Sequence, residues 1–258
     1  MINPLDPIAI TKSLGTAFIG RNVICYPSLK STMDTARIKA REGVPEGTVV
    51  ITDEQTAGRG RLKRGWISPA GNIALSVILR PEIGNLPYIM MIASLAAAGG
   101  IEHVTGLKVD FKWPNDVMIG GKKVGGILIE NEFRGDRLVF SIVGIGVNAA
   151  VNIEEHPEIS GIAASLPGVA GKDRRADLIR GILREVECLY IKLPEGRDIY
   201  ESWRDKLITL GQPVKATSIT GVVQGIAEAV DESGALMIRE VDGKLTRVVA
   251  GDVTLRED

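Results

Sequence analysis

Thr48-Val49-Val50-Ile51-Thr52-Asp53-Glu54-Gln55-Thr56-Ala57-Gly58-Arg59-Gly60-Arg61-Leu62-Lys63-Arg64-Gly65-Trp66 is the stretch from which the fold of this 258-residue chain is read. It opens with five β-branched residues in succession, the composition of a strand. The strand leads into four cationic side chains within six residues, interleaved with three glycines and closed by an indole. Glycine lets the backbone approach a ligand closely, and successive N–H groups in such a loop form an anion-binding concavity. Arginine forks match phosphate oxygens bidentately, so the loop suits a small phosphorylated ligand. The competing reading is a solvated basic turn or a weak arginine–glycine RNA patch, and on these residues alone the two weigh about equally.

Working outward, residues 22–26 read as a second strand and residues 34–42 as a helix between the two. Ser31 or Thr32 is placed to cap that helix, with Asp34 in its first turn. Beyond the loop, residues 72–79 form an apolar strand stopped by Pro81, and residues 86–104 a long apolar helix. Residues 108–113 and 117–119 are strand pieces around Pro114, and Gly120-Gly121 makes a tight turn into a strand over 122–130. The strongest β segment is 138–147. Two helices are expected over 173–193 and 198–207, the first with Leu178, Ile179, Ile182, Leu183 and Val186 at helical spacing. Composition changes at Leu210-Gly211-Gln212-Pro213, after which short strands at 214–218, 222–230, 235–240 and 245–250 alternate with turn signals. The pattern predicts an α/β (α+β) domain over 1–209, with residues 1–21 as an arm, and a small antiparallel barrel over 210–258.

Bulk composition narrows the function. A hydrophobic content of 45% and a charged content of 24% are those of an ordinary globular protein. The net charge of −1 argues against broad nucleic-acid binding, so the basic density of the loop is local. Cys25 and Cys188 are far apart and suggest a reducing cytoplasm. His103 and His156 are too few for a dense metal site. The first residues lack the basic and apolar regions of a signal peptide, and the apolar run 86–101, broken by Gly99-Gly100, reads better as a buried helix than as a membrane span. Gly60 and Gly65 have P-loop spacing, but Trp66-Ile67 stands where that motif needs Lys and Ser or Thr. Residues 144–149 fit a dinucleotide fingerprint loosely and open no long helix. There is no nucleophile elbow and no zinc-protease motif, which leaves chemistry that needs only positioning and charge neutralisation.

Three segments together resemble the biotin–protein ligase (biotin–acetyl-CoA-carboxylase ligase) family: Ser31-Thr32-Met33-Asp34, then Gln55 to Trp66, then Lys112-Trp113-Pro114-Asn115-Asp116 with Lys123-Val124-Gly125-Gly126-Ile127-Leu128. Gly144-Ile145-Gly146-Val147-Asn148 and Ala164-Ser165-Leu166 also match family positions in order. The resemblance covers roughly residues 22 to 255. It implies a mixed-sheet catalytic domain packed with helices and a C-terminal SH3-like β-barrel. It also implies a two-step reaction, in which the carboxylate of biotin attacks the α-phosphate of ATP to give biotinyl-5'-adenylate. A lysine of a biotin carboxyl carrier protein, from acetyl-CoA carboxylase or a related carboxylase or decarboxylase, then takes the acyl group. A carboxylate with a pKa of about 4 is already ionised, so the first step needs cations rather than a base.

Carried over by residue, the resemblance assigns Ser31, Thr32, Met33 and Gln55 to biotin, together with Arg59, Gly60, Arg61, Lys123, Gly126 and Gly146. Gly58, Arg59, Arg61, Trp66, Asn115, Lys123 and Asn148 are assigned to ATP or the adenylate, with Arg61 and Lys123 the catalytic pair. ATP enters with Mg²⁺ as counter-ion, without a protein metal site or a tightly bound prosthetic group. Met33 departs from the family's frequent Asn, and a thioether cannot supply an amide's hydrogen bonds. Each residue also has a plainer role: Ser31 and Thr32 as caps, Trp66 and Trp113 as core, Lys122 and Lys123 as solvated hairpin flanks, Asp116 as a turn pin.

The nearest alternative is a lipoate–protein ligase, against which Ser31, Thr32 and Gln55 favour the polar head of biotin. Some family members begin with a DNA-binding winged helix; the roughly 21 residues before the first strand lead to the expectation of a short form that binds no DNA. A noncatalytic RNA-binding module is disfavoured by an aromatic content of 4%, which leaves few stacking platforms. No membrane partner is expected, and a homodimer stays open.

Overall fold

The β-branched run at 48–53 forms an inner strand of a mixed sheet in a computed structural model that describes residues 5–218 and 221–255. The chain enters through a short helix, α1 (Pro7–Thr11), capped by the Asp6 carboxylate, which accepts from the Ala9 N–H at 2.9 Å. Then come β1 (Val23–Leu29), α2 (Thr32–Arg41), β2 (Val49–Gln55) and β3 (Ile73–Leu79). The long helix α3 (Leu86–Thr105) leads to β4 (Asp110–Lys112), β5 (Asp116–Ile119), β6 (Lys122–Arg134) and β7 (Arg137–Val147). Helices α4 (Lys172–Ile191) and α5 (Gly196–Arg204) precede β8 (Pro213–Ser218), β9 (Gly221–Val230), β10 (Leu236–Arg239), β11 (Leu245–Val248) and β12 (Asp252–Leu255). Residues 1–4 of the expected arm and 256–258 of the expected barrel lie outside the described residues.

The large sheet runs β1-β2-β3-β7-β6-β5-β4, with β1 and β2 parallel and the other neighbours antiparallel. Both of its faces are covered at the centre, which is why β3 is buried at every position instead of alternating. Val49, Ile51, Leu75 and Val77 face α3 and α4 in the main core, while Val50, Ile78 and Ile142 face Met33, Ala36 and Ala40 of α2. In α4, Leu178, Ile179, Ile182, Leu183 and Val186 are all buried, each contributing about 1.5–3 kcal/mol by transfer from water.

Helix α3 is long and apolar enough to cross a membrane by length and composition, yet ten of its residues are buried in the core. Gly100 and Gly181 let it lie close on α4: a Cβ at Gly100 would sit 2.6 Å from Ile182 Cγ1. The helix stops at Gly106 in the left-handed region, φ +71°, whose N–H donates to the Glu102 carbonyl at 2.8 Å. His103 lies in its last turn, as expected of a helix-end residue. The arm is bound to α4: the Glu187 carboxylate accepts N–H bonds from Ala17, Phe18 and Ile19 at 2.6–2.9 Å. A buried ion pair, Arg175 to Asp53 at 2.5 Å, joins α4 to β2, and Asp53 also accepts the Leu5 N–H.

The C-terminal sheet runs β11-β10-β9-β8-β12 and is antiparallel throughout. The sequence reading has four strands here; β12, paired with β8, is the fifth, and the strand expected over 245–250 ends at Val248. Trp113 joins the two sheets. Its backbone N–H donates to Thr209 Oγ1 and its indole N–H donates to the Gly234 carbonyl, each at 2.8 Å. Trp113 is a core residue, 1% exposed.

Candidate active site

The cleft begins with two glycines. Gly126 of β6 and Gly146 of β7 are paired directly across the sheet, so two adjacent strands present bare backbone at the same level. The Trp66 indole lies on this floor: a Cβ at Gly146 would meet Trp66 Cε2 at 2.7 Å, and one at Gly126 would meet Trp66 Cζ3 at 3.4 Å. One register step along, a Cβ at Gly144 would be 2.5 Å from Met33 Sδ. Side chains at these positions would fill the trough.

One end of the trough is polar and ordered. Thr32, at the start of α2, donates its N–H and hydroxyl to Gln55 Oε1 at 2.9 and 3.2 Å, and its hydroxyl accepts from Ser76 Oγ at 2.9 Å. The Gln55 carbonyl oxygen is thus occupied by Thr32, which leaves its amide N–H groups as the donors it offers a ligand. Ser31 is the N-cap residue of α2 by position, but its side chain makes no capping bond and does not line the cleft.

The basic loop is folded as a small hairpin. Trp66 N–H donates to the Gly58 carbonyl at 2.9 Å and Gly60 N–H to the Arg64 carbonyl at 2.8 Å. Gly58 is required by this closure, since a Cβ there would stand 2.4 Å from the Trp66 carbonyl oxygen; it supports the loop and does not line the cleft. Leu62, at the tip, adopts φ +51° and is 58% exposed.

Opposite charges converge beneath this hairpin. Arg61 Nη1 donates to Asn115 Oδ1 at 3.3 Å, while Asn115 Nδ2 donates to the Ile127 carbonyl at 2.8 Å. Burial lowers the pKa of the Arg61 guanidinium, against the attraction of Asp252 and Asp116, so it is a cation short of hydration. Lys123 Nζ is ion-paired to Asp116 at 2.5 Å and lies 5.5 Å from the Trp66 ring centroid. Its backbone is fixed from behind, the N–H donating to the Ile162 carbonyl and the carbonyl accepting from Ala164. That is the part played by the segment at 164–166.

The cleft encloses about 920 Å³, counting its open mouth, a size suited to a small ligand. It brings together Thr32, Met33, Gln55, Arg59, Gly60, Arg61, Trp66, Asn115, Lys123, Gly126 and Gly146 of the residues singled out from sequence. Ser31, Gly58 and Asn148 do not line it. Asn148 is 4% exposed and pins the frame, its Nδ2 donating to the Lys123 and Ala164 carbonyls at 3.3 and 3.2 Å. The sequence reading places Arg64, Lys112 and Asp116 in its motifs without giving them a ligand role, and it misses Asp252 and Val253 of the C-terminal sheet. The alternation of 252–255 after Gly251 is the signal that could have revealed the last two. Among the lining side chains Arg59, Arg61, Arg64, Lys112 and Lys123 face two carboxylates, Asp116 and Asp252, so cations are in excess. Such a cleft suits an anion with one uncharged polar end.

Comparisons with known proteins agree with this geometry. Residues 25–148 match the biotin/lipoate A/B protein ligase family, and residues 209–256 match the biotin protein ligase C-terminal domain. The chain is 37% identical to the bifunctional ligase/repressor BirA of Bacillus subtilis, over 97% of this chain and 79% of that protein. It is 33% identical to the biotin–[acetyl-CoA-carboxylase] ligase of Mycobacterium tuberculosis, over 97% of this chain and 95% of that protein. Its structure is similar to that of the Aquifex aeolicus biotin protein ligase in complex with biotin and ATP. The TM-score is 0.76 at 30% identity, covering 92% of this chain and all of the other.

Proposed function

The chain belongs to the biotin protein ligase family, and we propose how its cleft carries out the ATP-dependent ligation of biotin to protein. The observation that carries the reading is the Gly126–Gly146 floor under Trp66, with the Thr32–Gln55 polar end and the Arg61 and Lys123 cations lining the same cleft. Biotin lies on the floor, its ureido head toward Thr32, Met33 and Gln55, and its carboxylate toward the backbone of Gly60 and the cations. ATP lies with its adenine near Trp66 and its α-phosphate near Arg61, Lys123 and Asn115.

In the first step a biotin carboxylate oxygen bonds to the α-phosphorus while the bond to pyrophosphate breaks. No base is needed, because the nucleophile is already an anion. Arg61 and Lys123 offset the repulsion between two anions and carry charge that develops toward the leaving group. Lys123 exchanges its present partner, Asp116, for ligand oxygens. In the second step a lysine amine attacks the acyl carbon and AMP leaves.

ATP is taken to arrive with Mg²⁺ on its phosphates. Among the described residues no cluster of acidic, histidine or cysteine side chains could hold a metal ion, so the cation would be held mainly by phosphate and water. The acceptor is a biotin carboxyl carrier protein, supported by the carboxylase named in the relatives' activity. A division into a catalytic domain and a small barrel at residues 209 and 210 is supported by the composition break and by the C-terminal match from residue 209. A cytoplasmic site of action is supported by Cys25 and Cys188, both free thiols. Lipoate is not favoured, because the polar chain through Ser76, Thr32 and Gln55 closes the trough where lipoate would need an apolar wall.

The test is ATP–pyrophosphate exchange with each acid. Biotin should stimulate exchange and lipoate should not; stimulation by lipoate alone would overturn the assignment.

A further inference from the structure

Arg59 and Arg61 stand two residues apart in the same hairpin and have opposite surroundings. Arg59 Nη1 donates to Glu130 Oε1 at 2.9 Å, and its Nη2 donates to Glu130 Oε2 at 3.2 Å and to Asp34 Oδ1 at 2.7 Å. Glu130 lies on β6, and Asp34 lies in the first turn of α2, next to Met33. Arg37, one turn further along α2, also bonds to Glu130 and lies 3.6 Å from Asp34. Two arginines and two carboxylates thus make a neutral cluster on the outside of the loop. Partial burial disfavours the Arg59 charge, but hydrogen bonds and attraction from Glu130 and Asp34 outweigh it, so its pKa is raised. For Arg61 the balance has the opposite sign. Arg59 is already satisfied by protein, and Arg61 is the cation that an incoming anion would satisfy.

We propose that Glu130 and Asp34 are positioning residues for the ligation: through Arg59 they hold the 58–66 hairpin shut over the cleft, and Arg61 is the arginine the hairpin offers to the adenylate. The proposal rests on the ligase reading given above. It replaces a role for Arg59 as a phosphate ligand with a role as a strut. The strut ties the hairpin to α2 and β6, the elements that also carry Met33 and Gly126 of the trough. Closing the loop and shaping the biotin site are thereby coupled.

The two roles predict opposite signs for one substitution. If Arg59 binds phosphate, Glu130→Gln releases it toward the ligand and slows loss of the adenylate. If Arg59 is a strut, Glu130→Gln loosens the hairpin and speeds that loss, although residue 130 never touches the ligand. The experiment forms biotinyl-adenylate on the full chain from biotin and ATP, then follows its release in a chase. Release should quicken about two- to fivefold in Glu130→Gln and similarly in Asp34→Asn, the scale of one partly exposed ion pair. Adding Arg59→Ala to Glu130→Gln should add little, because both remove the same strut. Arg59→Lys should restore part of the retention, and KM for biotin should rise more than kcat falls. A merely structural lesion would instead lower the melting temperature without that split. Should Glu130→Gln fail to fold, Asp34→Asn carries the same test. Slower or unchanged release in both carboxylate variants would overturn the strut. Failure of the unaltered chain to form adenylate at all would instead overturn the ligase reading.

Discussion

Arg64 of the basic hairpin is ion-paired with Asp252 of β12, so the loop over the cleft is tied directly to the C-terminal sheet. The pair spans two parts of the chain almost two hundred residues apart, and Asp252 and Val253 line the cleft beside it. The C-terminal sheet is therefore a wall of the site.

Replacing Asp252 with Asn should loosen the hairpin from that wall. Arg64 is largely exposed, so the effect on stability should stay within about 1 kcal/mol. The KM for ATP should rise severalfold in steady-state assays, with a melting curve close to that of the unaltered chain. An unchanged KM would show that the C-terminal wall does not help to hold the nucleotide.

The glycine floor makes a sharper prediction. Gly146→Ala puts a methyl group 2.7–2.9 Å from the Trp66 indole, which must lift or shift. Overpacking of this kind costs about 1–3 kcal/mol. Here it should appear as a loss of biotin affinity on the order of tenfold or more by calorimetric titration. Gly100→Ala, which crowds Ile182 where α3 crosses α4, should lower the melting temperature instead and leave biotin affinity in place. Equal loss of affinity in both variants would mean that the floor has no special part in binding.

Lys123→Met removes the cation paired with Asp116 while keeping the length of the side chain. Biotin-dependent pyrophosphate exchange should fall about 10²- to 10³-fold, the range found when one preorganised charge-stabilising group is lost. A fall of less than about threefold would leave Arg61 as the only cation of consequence.

Alkaline pH should report on Cys25. Burial, then the charges of Asp53 and Asp6, push its pKa from 9.0 up to about 12. Between those values the folded thiol keeps its proton while the unfolded one loses it, so stability falls as pH rises from 9 toward 12. Melting curves of Cys25→Ala should lose part of that alkaline slope. At pH 8 a thiol reagent should label the exposed Cys188 promptly and Cys25 slowly; equal rates would sink the assignment.

Much of this was legible in the chain. Period and composition located every strand of the large sheet, because β-branched runs such as 48–53 and 138–147 are stopped by glycine, proline or charge. Most of the site was legible for a different reason: the loop at 58–66, the 112–116 segment and the glycines of β6 and β7 are short motifs whose residue types announce a ligand. The strand at 252–255 was missed, because its alternation runs for only four residues at the end of a barrel and is a short signal. The short helix α1 was hidden in an arm whose apolar residues show no clear repeat.

Sequence by itself pointed to most of the residues that line the cleft, because charge, glycine content and turn chemistry are local properties. Tertiary structure alone decided how they divide the work. Asp34 and Glu130 look like ordinary surface acids until folding sets both against Arg59. Asn148 looks like a ligand contact until its amide is found holding two carbonyls of the frame. Asp116 becomes the partner of Lys123 only through the β5–β6 hairpin. An ion pair depends on distance in space and on loss of water, and neither is written in the order of residues along a chain.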